Sequence, residues 1–156
     1  LSALRLAHVR RVAPKLRFRP SNPEADHATL QAIITHRYHV ATSYARSLKA
    51  ACGAELESLR LRVRGNDLPS AARLKRWLAD PDALPTVERE RLADLAARSR
   101  TIAKVVAMRA ELSALWSRST ESSEQLLARL QDWCRRAEAS GIAPLAQFSL
   151  QLKRYA

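Results

Sequence analysis

One continuous apolar stripe between residues 23 and 64 limits what this chain can fold into. Leu30, Ile34, Tyr38, Ala41, Ala45, Leu48, Cys52, Leu56, Leu59 and Val63 follow one another at steps of three or four. That is the period of one buried face on an α-helix. The stripe covers 33 residues in nine steps, about 3.67 per step, so it runs nearly straight along the helix axis with little supercoil. Ser21 or Asn22 can cap the start, Pro23 suits a first turn, and Glu24 and Asp26 complement the positive end of the dipole. Gly65, Asn66 and Asp67 stop it. Such a helix would reach about 60 Å at 1.5 Å per residue, whereas a compact chain of this size is only about 40 Å across. The helix therefore protrudes or bends. Gly53 is the expected bend, because a glycine inside a helix costs roughly 1 kcal/mol.

The rest of the chain repeats the pattern in shorter pieces. Its 156 residues are enough for one domain. Ala and Leu dominate the hydrophobic residues, only three residues are Gly, and β-branched alternation is nearly absent. This predicts an all-α chain, a helical bundle or helical hairpins packed on the long N-terminal helix. Pro69 and Ser70 open a helix over 71–79 with Leu74, Trp77 and Leu78 inward. Another follows Pro85 and Thr86, with Val87, Leu92 and Leu95 apolar. Thr101 is the expected cap of a fourth helix, which carries Ile102, Val105, Val106, Met108, Leu112, Leu115 and Trp116. Ser122 and Gln125 have capping-box spacing before the stripe Leu126, Leu127, Leu130, Trp133, Cys134 and Ala137. Gly141 ends that helix, with Ile142 placed for a Schellman contact. A last helix from Pro144 shows Leu145, Phe148, Leu152 and Tyr155.

Charge is unevenly placed. The formal net charge is +12, yet residues 1–20 hold Arg5, Arg10, Arg11, Lys15, Arg17 and Arg19 with no acid. This divides the chain into a basic apolar arm, residues 1–22, and a helical domain, residues 23–156. In the arm, Lys15, Arg17 and Arg19 alternate with Leu16 and Phe18 between Pro14 and Pro20. Cations mixed with apolar side chains suit an anionic membrane surface or the phosphates of nucleic acid. A plain solvated tail has the same composition. The longest apolar run, residues 102–108, is interrupted by Lys104 and is too short to span a bilayer.

Signals for chemistry are sparse. His36 and His39 stand three apart, a spacing compatible with a metal pair, but no carboxylate or thiol completes a set and Arg37 lies between them. A solvated His-Arg-Tyr-His face is the expectation. Glu24 is the only Glu three residues before a His (His27), so a bundle-type di-iron site would be half built at best. Cys52 and Cys134 fall on apolar stripes and read as buried, reduced thiols. The tryptophans at 77, 116 and 133 read as core. There is neither a Gly-flanked nucleophile nor a Gly-rich phosphate loop. No catalytic residue, cofactor or metal is assigned from these residues.

Two resemblances add to this reading. The opening Leu-Ala-His-Val-Arg-Arg-Val-Ala-Pro-Lys-Leu-Arg-Phe, residues 6–18, resembles the segment after the last histidine box of bacterial membrane-bound fatty acid desaturases. Residues 29–38, 44–49 and 133–142 are similar to the C-terminal extension of that family. The resemblance implies the non-catalytic C-terminal portion of a desaturase, at the cytoplasmic face of the inner membrane. Its partners would be an anionic membrane surface or the parent's membrane domain. A di-iron centre would belong only to the parent enzyme, since the family's histidine clusters are absent here. The second resemblance is to the C-terminal helices of some insertion-sequence transposases. It rests on Ala139, Ser140, Gly141, Ile142, Leu145 and Phe148, and implies nucleic acid as partner. A stand-alone helical partner-binding protein is the third possibility.

Overall fold

A computed structural model describes residues 23–62, 68–117 and 121–154, and these are α-helical with no strand among them. Seven α-helices follow in order: α1 (Pro23–Thr35), α2 (Arg37–Arg62), α3 (Ala71–Ala79), α4 (Thr86–Arg98), α5 (Arg100–Trp116), α6 (Ser123–Glu138) and α7 (Ala143–Lys153). A 3-10 turn, Pro81–Ala83, joins α3 to α4. The all-α expectation holds. The basic arm, the Gly65 stop signal and Tyr155 lie outside the described residues.

The expected long helix is present in two pieces, and the break is at His36, not at Gly53. Backbone bonds from His36 N–H to the Ala32 carbonyl (2.9 Å) and from Val40 N–H to the His36 carbonyl (3.0 Å) carry the chain across the break. Gly53 lies inside an unbroken α2, where a Cβ would meet the Ala71 Cβ at 3.6 Å. Its missing side chain thus marks where α3 comes alongside, not where α2 bends. The break also shifts the phase of the stripe. Leu30 and Ile33 face inward on α1, and burial restarts on α2 at Val40, Ala41, Tyr44, Ala45, Leu48, Cys52, Leu56 and Leu59. Tyr38, placed on the stripe by spacing, is instead 74% exposed.

α2 is the spine. α3 packs along it most extensively, and α5 and α7 lie against its other sides. α4 pairs with α5, and α6 packs on α7, α1 and α5. One apolar core results, with Trp133, Tyr44 and Phe148 at its centre. The Phe148 ring meets Tyr44 edge-on at 5.0 Å and Trp133 at 5.9 Å, geometries that add roughly 1 kcal/mol per pair beyond area burial. The polar tips of both larger rings find acceptors on α5. Tyr44 Oη donates to the Val105 carbonyl (2.5 Å), and Trp133 Nε1 donates to the Met108 carbonyl (2.8 Å).

Serines set the helix starts. Ser70 Oγ accepts from Arg73 N–H at 3.1 Å. Ser122 and Gln125 form the predicted capping box, with bonds of 3.2 and 3.0 Å. The cap of α5 is Ser99, not Thr101: its Oγ accepts from Ile102 N–H at 3.2 Å and donates to Glu55 Oε2 at 2.9 Å. Ser99 is the single residue between α4 and α5, so the cap also ties that corner to α2. Gly141 takes φ +77° three residues after α6 ends, but without the Schellman bonding expected from sequence: Ile142 N–H donates to the Ser140 hydroxyl at 3.2 Å. Val87, expected inward, is 63% exposed on the first turn of α4.

Candidate functional site

Ion pairing divides the surface into two parts. On α6 and α7 every cation has an acid. Arg136 bonds both oxygens of Glu111 at 2.8 Å and Asp132 at 2.9 Å. Those bonds, Glu111 first, hold the guanidinium pKa above its usual range. Arg135 pairs with Asp132 at 3.4 Å, Arg129 with Glu121, and the mostly buried Lys153 with Glu138.

The other side is different. Arg46 and Lys49 on α2, Arg73, Lys75 and Arg76 on α3, Arg91 and Arg98 on α4, and Arg100 and Lys104 on α5 have no ion pair among the described residues. On α2 only Arg60 pairs, with Glu57. Helix α3 has three cations and no acid in nine residues. Where α4 passes the chain before α3, Leu68, Pro69, Leu95, Arg91, Asp94 and Arg98 line an open groove of about 270 Å³. Arg91 and Arg98 stand two turns apart on one face of α4 with Asp94 between them, so the groove carries two cations and one acid. Unpaired cations on a rigid helical face have no internal use for their charge, and they suit a polyanion.

A second feature lies where α2 begins. An open cleft of about 380 Å³ is walled by Arg37, Tyr38 and Thr42 of α2, Asp80 just before the 3-10 turn and Asp82 within it, and Arg109, Ser113 and Trp116 of α5. Arg109 is 3% exposed, and each of its three nitrogens donates one hydrogen bond. Nε bonds the Leu78 carbonyl (2.9 Å), Nη2 the Ala79 carbonyl (2.8 Å) and Nη1 the Ser113 hydroxyl (2.5 Å). Burial lowers its pKa, partly offset by Asp82, Tyr44 and Asp80. Its guanidinium lies 5.0 Å from the Trp116 ring centre. Trp116 is half-buried, and its Nε1–H has no acceptor among the described residues, a state that costs about 1–3 kcal/mol. Arg37 sits over the Tyr38 ring at 5.0 Å.

The sequence-predicted contacts Arg5, Arg10, Arg11, Lys15, Arg17 and Arg19 lie outside the described residues. His36 and His39 are both exposed at the helix break, and no three His, Cys, Asp or Glu side chains converge among the described residues. Cys52 and Cys134 are buried and free. Desolvation, ahead of a contribution from Glu55, pushes the Cys52 thiol up to about 11. Burial does the same for Cys134, to about 11, against the lowering effect of Ser149 and Lys153. Trp77 and Trp133 are core as expected, but Trp116 is a cleft wall. Sequence reasoning missed Arg109. The available signal was spacing: Ile102, Val105, Arg109, Leu112 and Trp116 make one continuous stripe, so an arginine was being placed in a core.

The family model DDE_Tnp_ISL3, described as transposase, matches residues 24–156. No curated protein and no solved structure matches the chain. The match overturns the desaturase resemblance, and with it the lipid-metabolism and oxidoreductase reading. That resemblance leaned on the basic-apolar pattern of residues 1–20, which falls outside the matched residues. Alternating Arg with Leu and Val is what any cationic amphipathic segment looks like. The pattern at 139–148 that resembled transposases lies inside the match. The expected location at the cytoplasmic face of the inner membrane falls with the parent enzyme that motivated it. No described helix is long and apolar enough to cross a membrane. Of the two partner classes expected from sequence, the match favours nucleic acid, and the membrane partner has no support.

Proposed function

The chain belongs to the transposase family DDE_Tnp_ISL3, and from that premise we propose that it is a helical DNA-holding portion of a transposase. The observation that carries the reading is that Arg73, Lys75 and Arg76 stand on α3 with no acid among its nine residues, and that Arg91, Arg98, Arg100 and Lys104 have no ion pair among the described residues, while the cations of α6 and α7 are held by acids. Phosphates are the partner such cations need. Contacts of this kind set affinity and position on a duplex without reading its sequence. The six cations of residues 1–20 are, in this account, partners for phosphates and not for lipid head groups.

The helices give those cations a fixed geometry. α3 is held against α2 at its start by the Gly53–Ala71 approach and tied to α5 at its end by Arg109. Arg73 and Arg76 are therefore presented from a rigid helix, with little further ordering entropy to lose on binding. Arg91 and Arg98 are held likewise by the burial of Leu92 and Leu95 beneath them.

The test is salt-dependent binding to duplex DNA by the chain and by a variant carrying Arg73→Gln, Arg76→Gln, Arg91→Gln and Arg98→Gln. All four side chains are exposed, so the variant keeps its core. Each lost phosphate contact removes about 0.9 from the slope of log K against log salt, and the variant should lose roughly three to four. An unchanged slope would show that this face does not touch the duplex.

A further inference from the structure

The cleft at the start of α2 does not fit the phosphate-holding role of the cationic face. Two carboxylates, Asp80 and Asp82, stand in its wall, and they repel a phosphate. Arg109 compensates little, because it is buried and its Nε, Nη1 and Nη2 each already donate to Leu78, Ser113 and Ala79. What the cleft offers is an aromatic surface and short-range hydrogen-bonding groups of both kinds. Tyr38 is the one exposed large aromatic among the described residues. Thr42 and Ser113 contribute hydroxyls, Asp80 and Asp82 contribute acceptors, and Trp116 contributes its ring, whose buried Nε1–H has no acceptor among the described residues. Arg37, at the rim and over the Tyr38 ring, donates from Nη2 to Tyr38 Oη at 3.3 Å, and its other N–H groups can meet a backbone charge outside the cleft.

A planar, uncharged molecule with donors and acceptors on its edge, attached to an anionic backbone, matches this set. We propose that the cleft between Tyr38 and Trp116 receives an unpaired nucleobase of single-stranded or locally opened DNA. The base stacks on Tyr38, its exocyclic amine donates to Asp80 or Asp82, and a carbonyl or ring nitrogen accepts from Trp116 Nε1 after a small turn of the half-buried indole. Base–aromatic stacking tolerates any base, since each has a π-face. The phosphates stay outside, against Arg37. A volume of about 380 Å³ falls within the range of small-molecule sites. This proposal rests on the DNA-holding reading and adds a distinct ligand state to it.

The experiment compares binding of the full chain to a labelled oligodeoxycytidine, whose bases carry an exocyclic amine, a carbonyl and a ring nitrogen, and to a labelled duplex at the same low salt, by fluorescence anisotropy. Tyr38→Ala should weaken single-strand binding about tenfold and leave duplex binding unchanged. Tyr38→Phe, which keeps the ring, should retain the single-strand affinity. Trp116→Phe, which keeps an aromatic wall but removes the N–H, should weaken the single strand alone. Tyr38 projects into solvent, so loss of folding is not an explanation for its effect; thermal unfolding of each variant checks this. Unchanged single-strand affinity in Tyr38→Ala with normal duplex binding would overturn the base site while leaving the DNA-holding reading intact. Equal losses on both ligands would also overturn it. Binding of neither ligand by the unmodified chain would overturn both.

Discussion

Arg109 Nε lies 2.9 Å from the carbonyl oxygen of Leu78, so one side chain from the middle of α5 finishes a different helix. The last carbonyls of α3 have no intrahelical partners. Asp80, which follows, has φ −146° and cannot continue the helix. A buried guanidinium reaching both Leu78 and Ala79 supplies what the backbone lacks, and Ser113 takes its remaining terminal nitrogen.

Replacing Arg109 by Met keeps much of the volume but strands those carbonyls, and should cost about 2–4 kcal/mol. Arg109→Lys should recover less than half, because an ammonium cannot reproduce the planar fork. The denaturant midpoint, measured at constant m-value, reads both numbers. A loss below half a kcal/mol for the Met variant would show that water can replace the guanidinium there.

Gly53→Ala should stabilise the chain by up to about 1 kcal/mol, the helix-propensity gain. The added methyl meets only the Ala71 Cβ at 3.6 Å, an ordinary contact. Gly53→Leu should destabilise, because the larger side chain has to push α3 off α2. Thermal midpoints of the two variants on opposite sides of the parent would establish Gly53 as a packing position inside an unbroken helix. A destabilising Ala would restore the bend that the sequence suggested.

The connection around α6 gives a paired test. Ser122→Ala removes half of the capping box and should cost about 1 kcal/mol. Gly141→Ala forces a Cβ into φ +77° and should cost roughly 1–2 kcal/mol. The sites are at opposite ends of α6, so their effects should add in the double variant. Unfolding curves of the two singles and the double give the comparison.

Burial raises Cys52 and Cys134 from an ordinary 9.0 to about 11. The folded state therefore holds its thiol protons more tightly than the unfolded chain. Their contribution to stability is full below about pH 9 and falls as pH rises from 9 towards 11. Tyr44, also raised chiefly by burial, adds to the same decline above its usual 10. Stability measured against pH should drop over that window, and a Cys52→Ala, Cys134→Ala variant should show a shallower drop. At neutral pH neither thiol should react with a thiol reagent until the chain unfolds. Fast labelling of the folded chain would contradict their burial.

Much of this fold can be read from spacing because helical periodicity is a local property. The stripes of α3, α5, α6 and α7, the Ser122–Gln125 box and the Gly141 ending depend on neighbours within a few residues. The errors came where partners are distant. Nothing near Gly53 tells a bend from a helix crossing, since Ala71 supplies the answer. The position of Tyr38 depended on a break at His36 that has no Gly or Pro to mark it. Thr101 and Ser99 are both good caps locally, and Ser99 has the additional bond to Glu55, 44 residues away. The candidate site was legible only as charge. Which cations are unpaired depends on where Glu111, Asp132 and Glu138 fold, and the Tyr38–Trp116 cleft joins helices far apart in sequence.

The central claim is that this chain grips DNA through phosphate-directed cations, and a salt series tests it most directly. The full chain is titrated against a labelled duplex, with anionic vesicles of matched charge in a parallel titration. The account predicts duplex binding whose log K falls linearly with log salt, with a slope of several units, and weaker binding to vesicles at every salt concentration. Tight vesicle binding with no duplex binding at low salt, or duplex binding indifferent to salt, would contradict it.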